Sequence, residues 1–395
     1  MVGLNKDDRT HGLIIRIMHD RVFWWALVLV GVLLKLLLFP VQTGDYNVFL
    51  VPWMDFIRTH GYFHSLAFSF FDYNPAYIYF LILITKVGCC PLFLVKLLSV
   101  GFEYLGAYFV ASIIGLNKNL KNSVIRIAVF AIVPLLPTVL LNSSYLAQCD
   151  SIYTAFAIGS VYFALKRRSV WAMVMLGVAF SFKFQSAVLL PFYFVWWLRG
   201  NIRWYYFLVV PAVYVLSLLP AVFYGRSFPD LLSIIALQSS RYPFLTLNFP
   251  NVYIWMDNRY YGFLKTAGLL ITFAATLVSG LVLKNKKYWF DDVVWIKLVF
   301  LSAITVPFLL PGMHERYMYL GDVFGVVYMV YHRNRFYLPL GIVLVSAYSY
   351  IRCSRYNDVL PQYPAFFIYA GIIILVIYDL YKSLLIKVEQ NAEKQ

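Results

Sequence analysis

Several ionisable side chains lie at the ends of long apolar segments, where a catalytic or binding role is chemically possible. Asp45, in TGDYNVF, directly follows the first of these segments. A carboxylate at the boundary of an apolar environment takes up a proton more readily than one in water, which suits a general base. A solvated loop residue or a helix N-cap is the structural alternative.

A second group is the run His314, Glu315, Arg316 and Tyr317 in PGMHERYMY, between two apolar segments. Charges in such a place either pair with one another or face a polar cavity. Arg316 can hold a phosphate through two parallel hydrogen bonds, His314 can donate to the same phosphate, and Glu315 can orient either side chain. A self-satisfied ion pair at the surface is the alternative. The run therefore indicates an anion site.

Two further aspartates stand where structural and functional roles compete. Asp72, in FFDYNPAY, is followed by Asn-Pro, which is a turn signal. Asp150, in AQCDSIY, opens an apolar segment, where N-capping is common. An ionisable group at that depth is also a functional candidate. Asp45, Asp72 and Asp150 together have the carboxylate chemistry that suits Mg²⁺ or Mn²⁺.

Lys183 and Gln185, in SFKFQSAVLLP, interrupt another apolar stretch. A lysine there either reaches toward lipid headgroups or meets an anion. The stretch 224–260 is rich in aromatic residues and contains Trp255. Amphipathic aromatic side chains favour the membrane interface, so an aromatic belt is preferred here over sugar stacking.

The composition places these residues in a membrane protein. The chain has 395 residues, of which 62% are hydrophobic and 13% charged, against about 25% charged in soluble proteins. Its net charge of +15 comes from short basic clusters between apolar runs. This is the positive-inside pattern, and we predict no nucleic-acid partner. The four cysteines have no metal-ligand spacing and are interpreted as packing residues.

The apolar runs predict one all-α polytopic membrane domain over 1–395, with a cytoplasmic N-terminal segment 1–21 and a cytoplasmic tail 384–395. Twelve spans are predicted, at 22–41, 95–115, 123–141, 151–166, 170–184, 186–199, 203–223, 261–283, 291–310, 317–331, 336–351 and 365–383.

The segment 75–88 decides the topology, because it is apolar but too short to span a membrane. If it does not span, the later basic clusters lie on the cytoplasmic side. Four segments then share the outer face: the first outer loop 42–94 and the segments 142–150, 224–260 and 311–316.

The order of these motifs resembles the GT-C glycosyltransferase superfamily. An acidic residue after the first span is followed by DYNP, AQCDSIY, KFQS with LLP, NFPNVYIW and FLLPGMHERYMY, over about residues 40–320. The likeness is to bacterial membrane proteins related to the GPI mannosyltransferases, and to the dolichyl-phosphate-glucose-dependent glucosyltransferases. It implies a shared module of spans, with juxtamembrane helices in the first outer loop.

The resemblance also implies roles for particular motifs. Asp45 matches the family's catalytic acidic position, and HER at 314–316 resembles the HEK or HER motif at the donor phosphate. DYNPAY resembles a DYPP-type motif, with Asn74 in place of a more usual proline. AQCDS resembles a GQ-D-S pattern, with Ala147 in place of glycine. Neither of these two differences from the family's motifs removes an ionisable side chain.

The implied activity is inverting transfer of a hexose-type sugar from a polyprenyl-phosphate carrier to an extracytoplasmic glycan or lipid acceptor. Asp45 is the expected base, and Arg316, His314 and Lys183 are expected at the donor phosphate. Residues expected to support the site or bind sugar are Asp72, Tyr73, Asp150, Gln185, Glu315, Tyr317 and Trp255. No cofactor is expected. A divalent metal is possible but not favoured, since the relatives named by resemblance are metal-independent.

Two other classes of protein fit part of the pattern. A transporter or flippase of lipid-linked sugars carries polar residues near the middle of its spans and often has inverted repeats, which this sequence does not display. A glycan ligase or polymerase uses a lipid diphosphate donor instead. The short chain without retention signals favours a bacterial plasma membrane, with membrane lipids around the spans.

Overall fold

A computed structural model describes residues 20–120, 123–355 and 359–392, most of them helical. Of the predicted cytoplasmic segment 1–21, the described residues include only Asp20 and Arg21. The helices are α1 (Arg21–Leu38), α2 (Val51–Thr59), α3 (Pro75–Val87), α4 (Pro91–Ile114), α5 (Ser123–Ile132), α6 (Pro137–Val139), α7 (Asp150–Leu165), α8 (Ser169–Phe182), α9 (Leu190–Leu198), α10 (Val209–Phe223), α11 (Phe228–Ser240), α12 (Tyr261–Leu283), α13 (Asp292–Leu309), α14 (Tyr319–Tyr331), α15 (Tyr337–Arg355) and α16 (Tyr363–Ala392).

Shorter elements connect these helices. Short 3₁₀ turns lie at Tyr62–Ala67, Lys118–Leu120, Val133–Leu135, Phe184–Leu189, Trp204–Leu208, Val252–Trp255, Asn258–Tyr260 and Arg333–Arg335. Two π-helical turns occupy Tyr46–Leu50 and Leu140–Tyr145, and strands β1 (Thr246–Leu247) and β2 (Met313–His314) pair in parallel. The predicted tail 384–395 continues α16 as a helix to Ala392.

The chain is an all-α polytopic membrane protein. Among the described residues, seven helices are long and apolar enough to cross a membrane, and a bent pair would make eight. The seven are Arg21–Leu38, Pro91–Ile114, Trp204–Phe223, Asn258–Leu283, Asp292–Leu309, Arg333–Ser354 and Tyr363–Leu385. The bent pair joins Ser123–Leu135 to Pro137–Tyr145 at 48°.

The prediction of twelve spans is not confirmed. Four of the predicted spans coincide with helices of 10–17 residues, namely Asp150–Leu165, Ser169–Phe182, Phe184–Leu198 and Tyr319–Tyr331. A helix of 16 residues is about 24 Å long, less than the ~30 Å of a bilayer core. Inside α7, side chains from Asp150 to Ala164 are buried by protein on most sides.

The first outer loop folds into the helices α2 and α3, which pack against the long helices. Pro75 occupies the first turn of α3, where its missing N–H costs nothing, and α3 ends at Gly88 with φ +77°. Trp53, Ile57 and Ile82 are buried in an apolar core shared with α10. α3 and α14 (Tyr319–Tyr331) are both 13 residues long, so length alone does not separate a spanning from a non-spanning helix, and the expectation that 75–88 does not span stays a prediction.

Local contacts fix where α1 ends and the outer loop begins. The ammonium group of Lys96, on α4, donates to the carbonyls of Leu38 at 3.0 Å and Val41 at 2.6 Å. These carbonyls at the end of a helix have no intrahelical partner. The contacts therefore tie the exit from α1 to α4 and set the direction in which the chain continues to Asp45.

The interpretation of all four cysteines as packing residues is wrong for three of them. Cys149 is buried, whereas Cys89, Cys90 and Cys353 are exposed, and all four are free thiols. Cys89 and Cys90 lie in the turn between α3 and α4, where packing makes no demand on them.

Candidate active site

A cavity of about 550 Å³ gathers residues from all four segments that the sequence assigns to one face. Its lining comes from residues 42–77, 145–149, 242–248 and 314–316, and from the end of α15. Asp45, Asp72, Tyr73, His314, Glu315 and Arg316 belong to this lining, together with the rings of Trp53, Tyr77, Tyr145 and Tyr242. The cavity thus brings charged groups and aromatic surfaces together.

Asp45 stands at the edge of the cavity, just before the π-helical turn Tyr46–Leu50. It does not cap that turn, and its side chain is 45% exposed. The side-chain amide of Gln148 donates a hydrogen bond to Asp45 Oδ2. Thr43 donates to the carbonyl of Leu146 at 3.2 Å, which ties the loop before Asp45 to the same wall. The carboxylate is therefore held in place but open to a ligand.

Arg316 lies across the cavity floor between three carboxylates. Its Nη1 is 2.7 Å from Glu315 Oε1 and 3.9 Å from Asp45 Oδ2, and its Nε is 3.8 Å from Asp150 Oδ2. Arg316 Nε is buried and has no hydrogen-bond partner among the described residues. The guanidinium is thus oriented by carboxylates and retains donor capacity for an incoming anion.

Glu315 keeps its charge in this site. Burial opposes ionisation of the carboxyl, but the Arg316 guanidinium and the His314 ring outweigh it and lower the pKa of Glu315 to about 2. The carboxylate is almost fully buried, and His314 Nδ1 lies 3.8 Å from its Oε2. Glu315 is therefore an anchor for its two neighbours.

His314 is positioned by the two-stranded sheet. Leu247 pairs with His314 in register, and the N–H of Gly312 donates to the Leu245 carbonyl at 2.8 Å. Gly312 has φ +73°, a conformation that glycine adopts without strain. Burial lowers the pKa of His314, partly offset by its contact with Glu315. The lowered pKa favours the neutral imidazole, which has one N–H to offer to a ligand.

Asp150 lies behind the cavity wall and is fully buried. Its Oδ1 is 2.6 Å from Lys183 Nζ, and its Oδ2 accepts from Asn142 Nδ2 at 2.8 Å. Asn142 Nδ2 also contacts the Tyr350 hydroxyl at 2.9 Å. Asp150 begins α7 without capping it, so the N-cap alternative is excluded.

Asp72 also lines the cavity and contacts the C-terminal end of α11. Arg241 Nε is 3.5 Å from Asp72 Oδ2, and Gln238 donates to the Asp72 backbone carbonyl at 2.6 Å. Burial raises the pKa of Asp72, and Arg241 partly offsets this. Tyr73, next to it, lies under the Lys183 ammonium group, which is 5.3 Å from the ring centre.

Five of the predicted site residues do not line the cavity, and one of them is Asp150, described above. Lys183 is buried and paired with Asp150, so its predicted contact with the donor phosphate is not direct. Tyr317 interacts with Gln185, and its ring centre is 5.2 Å from that of His314. Trp255 packs against Tyr363, Phe366 and Phe367, away from the cavity.

Sequence reasoning missed several residues of the wall. Gln148 donates a hydrogen bond to Asp45, and Asn142 donates one to Asp150. Tyr350, Cys353 and Asn248 line the cavity. Gln148 lies inside the quoted motif AQCDS, and Asn142 belongs to the polar run NSS inside an apolar segment. These polar interruptions were the available signal. The end of α15 is polar as well, but its place at the end of a predicted span did not single it out, and its residues reach the site only through the fold.

The fold and cavity define a polytopic helical membrane protein with a polar, aromatic-lined site at one end of its helices. No protein-family model matches the chain, and neither the curated proteins nor the solved structures include a match to it. No three His, Cys, Asp or Glu side chains are grouped as metal ligands within the described ranges.

Proposed function

We propose that this protein is an inverting glycosyltransferase of the GT-C type, which moves a hexose-type sugar from a polyprenyl-phosphate carrier to a glycan or lipid acceptor. The observation that carries the proposal is the 3.9 Å separation of Asp45 Oδ2 and Arg316 Nη1 in one cavity. A base for the acceptor hydroxyl and a cation for the leaving phosphate are then both within reach of one anomeric carbon.

The charges favour Asp45 over the other carboxylates as the base. Asp150 is matched by Lys183 at 2.6 Å and Glu315 by Arg316 at 2.7 Å, and both carboxylates are buried. Asp45 has its cation at 3.9 Å and is 45% exposed. Of the two cavity carboxylates that are not buried, Asp72 is paired with Arg241 at 3.5 Å, whereas Asp45 lies beside Arg316 and is open to an acceptor.

The proposed reaction is a single displacement. The acceptor hydroxyl oxygen forms a bond to the anomeric carbon while its proton passes to Asp45. The bond between that carbon and the phosphate oxygen breaks, and polyprenyl phosphate leaves with the electron pair. Arg316 stabilises the additional negative charge, and neutral His314 donates a hydrogen bond to the same phosphate. Attack opposite the leaving group inverts the anomeric centre.

The setting of the cavity suits a lipid-linked donor. Aromatic rings of Trp53, Tyr145 and Tyr242 line the space beside the charged groups, and sugars stack on such faces. We place the cavity at the extracytoplasmic face of a bacterial plasma membrane, because the basic clusters then face the cytoplasm. We propose twelve membrane spans. Four of them are the short helices Asp150–Leu165, Ser169–Phe182, Phe184–Leu198 and Tyr319–Tyr331, which would cross the membrane surrounded by other helices.

The deciding experiment is a donor screen on the purified protein in lipid vesicles. Radiolabelled polyprenyl monophosphate sugars are supplied with candidate acceptors, and the products are identified by mass spectrometry. We expect a new glycosidic bond and released polyprenyl phosphate. A diphosphate donor alone giving product would favour a ligase or polymerase. Movement of label across the bilayer with no bond formed would favour a flippase and overturn the proposal.

A further inference from the structure

An ion pair inside the long apolar helices is unexplained by the site described so far. Lys35 Nζ on α1 is 2.6 Å from Glu103 Oε2 on α4, and both side chains are at most 1% exposed. A buried ion pair adds little net stability compared with apolar side chains of similar size. Ionisable groups within membrane spans are rare and usually serve a function.

Glu103 also contacts the turn that forms the cavity wall. Ser143 Oγ donates a hydrogen bond to Glu103 Oε1, and Ser143 lies in the π-helical turn Leu140–Tyr145. Turns of this kind occur often at functional sites. The preceding residue, Asn142, holds Asp150 Oδ2 at 2.8 Å and the Tyr350 hydroxyl at 2.9 Å. One turn therefore faces the ion pair on one side and the site on the other.

The same turn determines where Gln148 lies. The backbone N–H of Gln148 donates to the Asn142 carbonyl at 2.9 Å, and that of Ala147 to the Ser143 carbonyl at 3.2 Å. Ala147 has φ +57°, a left-handed conformation that costs a non-glycine residue energy. Gln148 then donates through its side chain to Asp45. Contacts are thus continuous from Glu103 to Asp45.

We propose that the Lys35–Glu103 pair is a positioning unit for catalysis, which fixes the segment 140–148 and through it Asp45 and Asp150. Lys35 holds the Glu103 side chain in one orientation, and Glu103 accepts the hydrogen bond from Ser143. This inference rests on the proposed function. Displacement of a catalytic group by about 1 Å costs up to about 100-fold in rate, so an anchor of this kind affects turnover at a distance.

The kinetic test compares two double variants. Lys35→Met/Glu103→Gln removes both charges but keeps an acceptor for Ser143, whereas Lys35→Met/Glu103→Leu removes the acceptor as well. We expect the leucine variant to lose about 10-fold or more in kcat with donor KM within about 2-fold, and the glutamine variant to retain most of kcat. Equal kcat in both double variants would overturn the proposal.

A second readout does not depend on sugar transfer. Cys149 is 4% exposed and follows Gln148 directly, so it reports on the segment 140–148. With Cys89, Cys90 and Cys353 replaced by serine, a maleimide in detergent solution measures its accessibility. We expect labelling to accelerate in Lys35→Met/Glu103→Leu but not in the glutamine variant. Unchanged labelling in the leucine variant would overturn the positioning role.

The control is the ion pair of Lys297 and Asp379, neither of which lines the cavity. Lys297 Nζ is 2.7 Å from Asp379 Oδ2, between α13 and α16. Lys297→Met/Asp379→Leu should leave both kcat and the labelling of Cys149 unchanged, and a loss as large as in the Lys35 variants would overturn the proposal. If the wild-type protein transfers no sugar, the proposed function fails, and labelling of Cys149 still tests the anchor.

Discussion

Lys183 Nζ lies 2.6 Å from Asp150 Oδ1, and both side chains are buried behind the cavity wall. The lysine neutralises Asp150, whose other oxygen is 3.8 Å from Arg316 Nε. Two cations therefore share one carboxylate, but only Arg316 belongs to the cavity lining. The contribution of Lys183 is thus to hold the Asp150 side chain in place, so that Asp150 orients Arg316.

This pairing predicts that Lys183→Met destabilises the protein. Removal of Lys183 leaves buried Asp150 with only the more distant Arg316 at 3.8 Å, and breaking a buried ion pair costs roughly 3–5 kcal/mol. The expected result is a clearly lower Tm in detergent. Lys86→Met is the matched control, because Lys86 is exposed at the end of α3. The double variant Lys183→Met/Asp150→Asn should recover part of the loss. An unchanged Tm in Lys183→Met would contradict this account of the pair.

Asp45→Asn is expected to remove turnover without affecting folding. The side chain is half-exposed, and an amide oxygen still accepts from Gln148. Loss of a general base typically costs about 10²-fold or more in rate. The measurement is kcat for sugar transfer in lipid, with Tm as the folding check. Asp55→Asn is the control, since Asp55 is exposed on α2 and pairs with Arg58. Wild-type turnover in Asp45→Asn would remove Asp45 from the mechanism.

Arg316→Ala is expected to weaken the handling of the donor. A hydrogen bond to a charged group contributes ~1.5–3 kcal/mol, so donor KM should rise on the order of 10- to 100-fold. Arg316→Lys keeps the charge but loses the planar fork, and its KM should be intermediate. Arg259→Ala, at an exposed position, is the control.

Loss of Arg316 also leaves Glu315 without its cation, and this effect on folding needs a separate check. Glu315→Gln/Arg316→Ala removes both charges together. If its Tm is near that of the wild type while donor KM stays high, the effect belongs to the donor phosphate. A donor KM equal to that of the wild type in both variants would argue against the role of Arg316.

Much of the site could be predicted from the sequence because its polar residues stand out at the ends of apolar segments. The interruptions at Asp45, Asp72 and HER at 314–316 all reach one cavity. A charge in an apolar segment must find a partner or a polar space, but the sequence does not say which. For Lys183 the partner is Asp150, and for Trp255 the surroundings are the aromatic side chains of α16.

The fold was harder to predict at the level of single helices. Hydropathy marks where apolar helices lie, and each predicted span overlaps a helix or the bent pair. It does not say whether a short apolar helix crosses a membrane or is buried by its neighbours, because both environments select the same residues. The backbone hydrogen bonds of the π-helical turn Leu140–Tyr145, which place Asn142 and Gln148, leave no periodic signal in the sequence.

The ion pair of Glu315 predicts a specific dependence of stability on pH. Its pKa is lowered from 4.5 to about 2 in the folded protein, chiefly because the Arg316 guanidinium outweighs the effect of burial. As the pH falls, Glu315 is therefore protonated in the unfolded chain before it is protonated in the folded protein. The stabilisation is complete above about pH 5 and is lost as the pH falls toward 2; it amounts to about 3 kcal/mol.

Glu315→Gln removes this contribution at every pH. The Tm of the variant should lie well below that of the wild type at pH 7, and the two values should converge as the pH falls below about 4. Thermal unfolding in detergent over pH 3–8 measures both. A gap in Tm that stays constant across this range would mean that Glu315 acts through packing or hydrogen bonding rather than through its charge. The carboxylate would then no longer explain how Arg316 and His314 are held at the cavity.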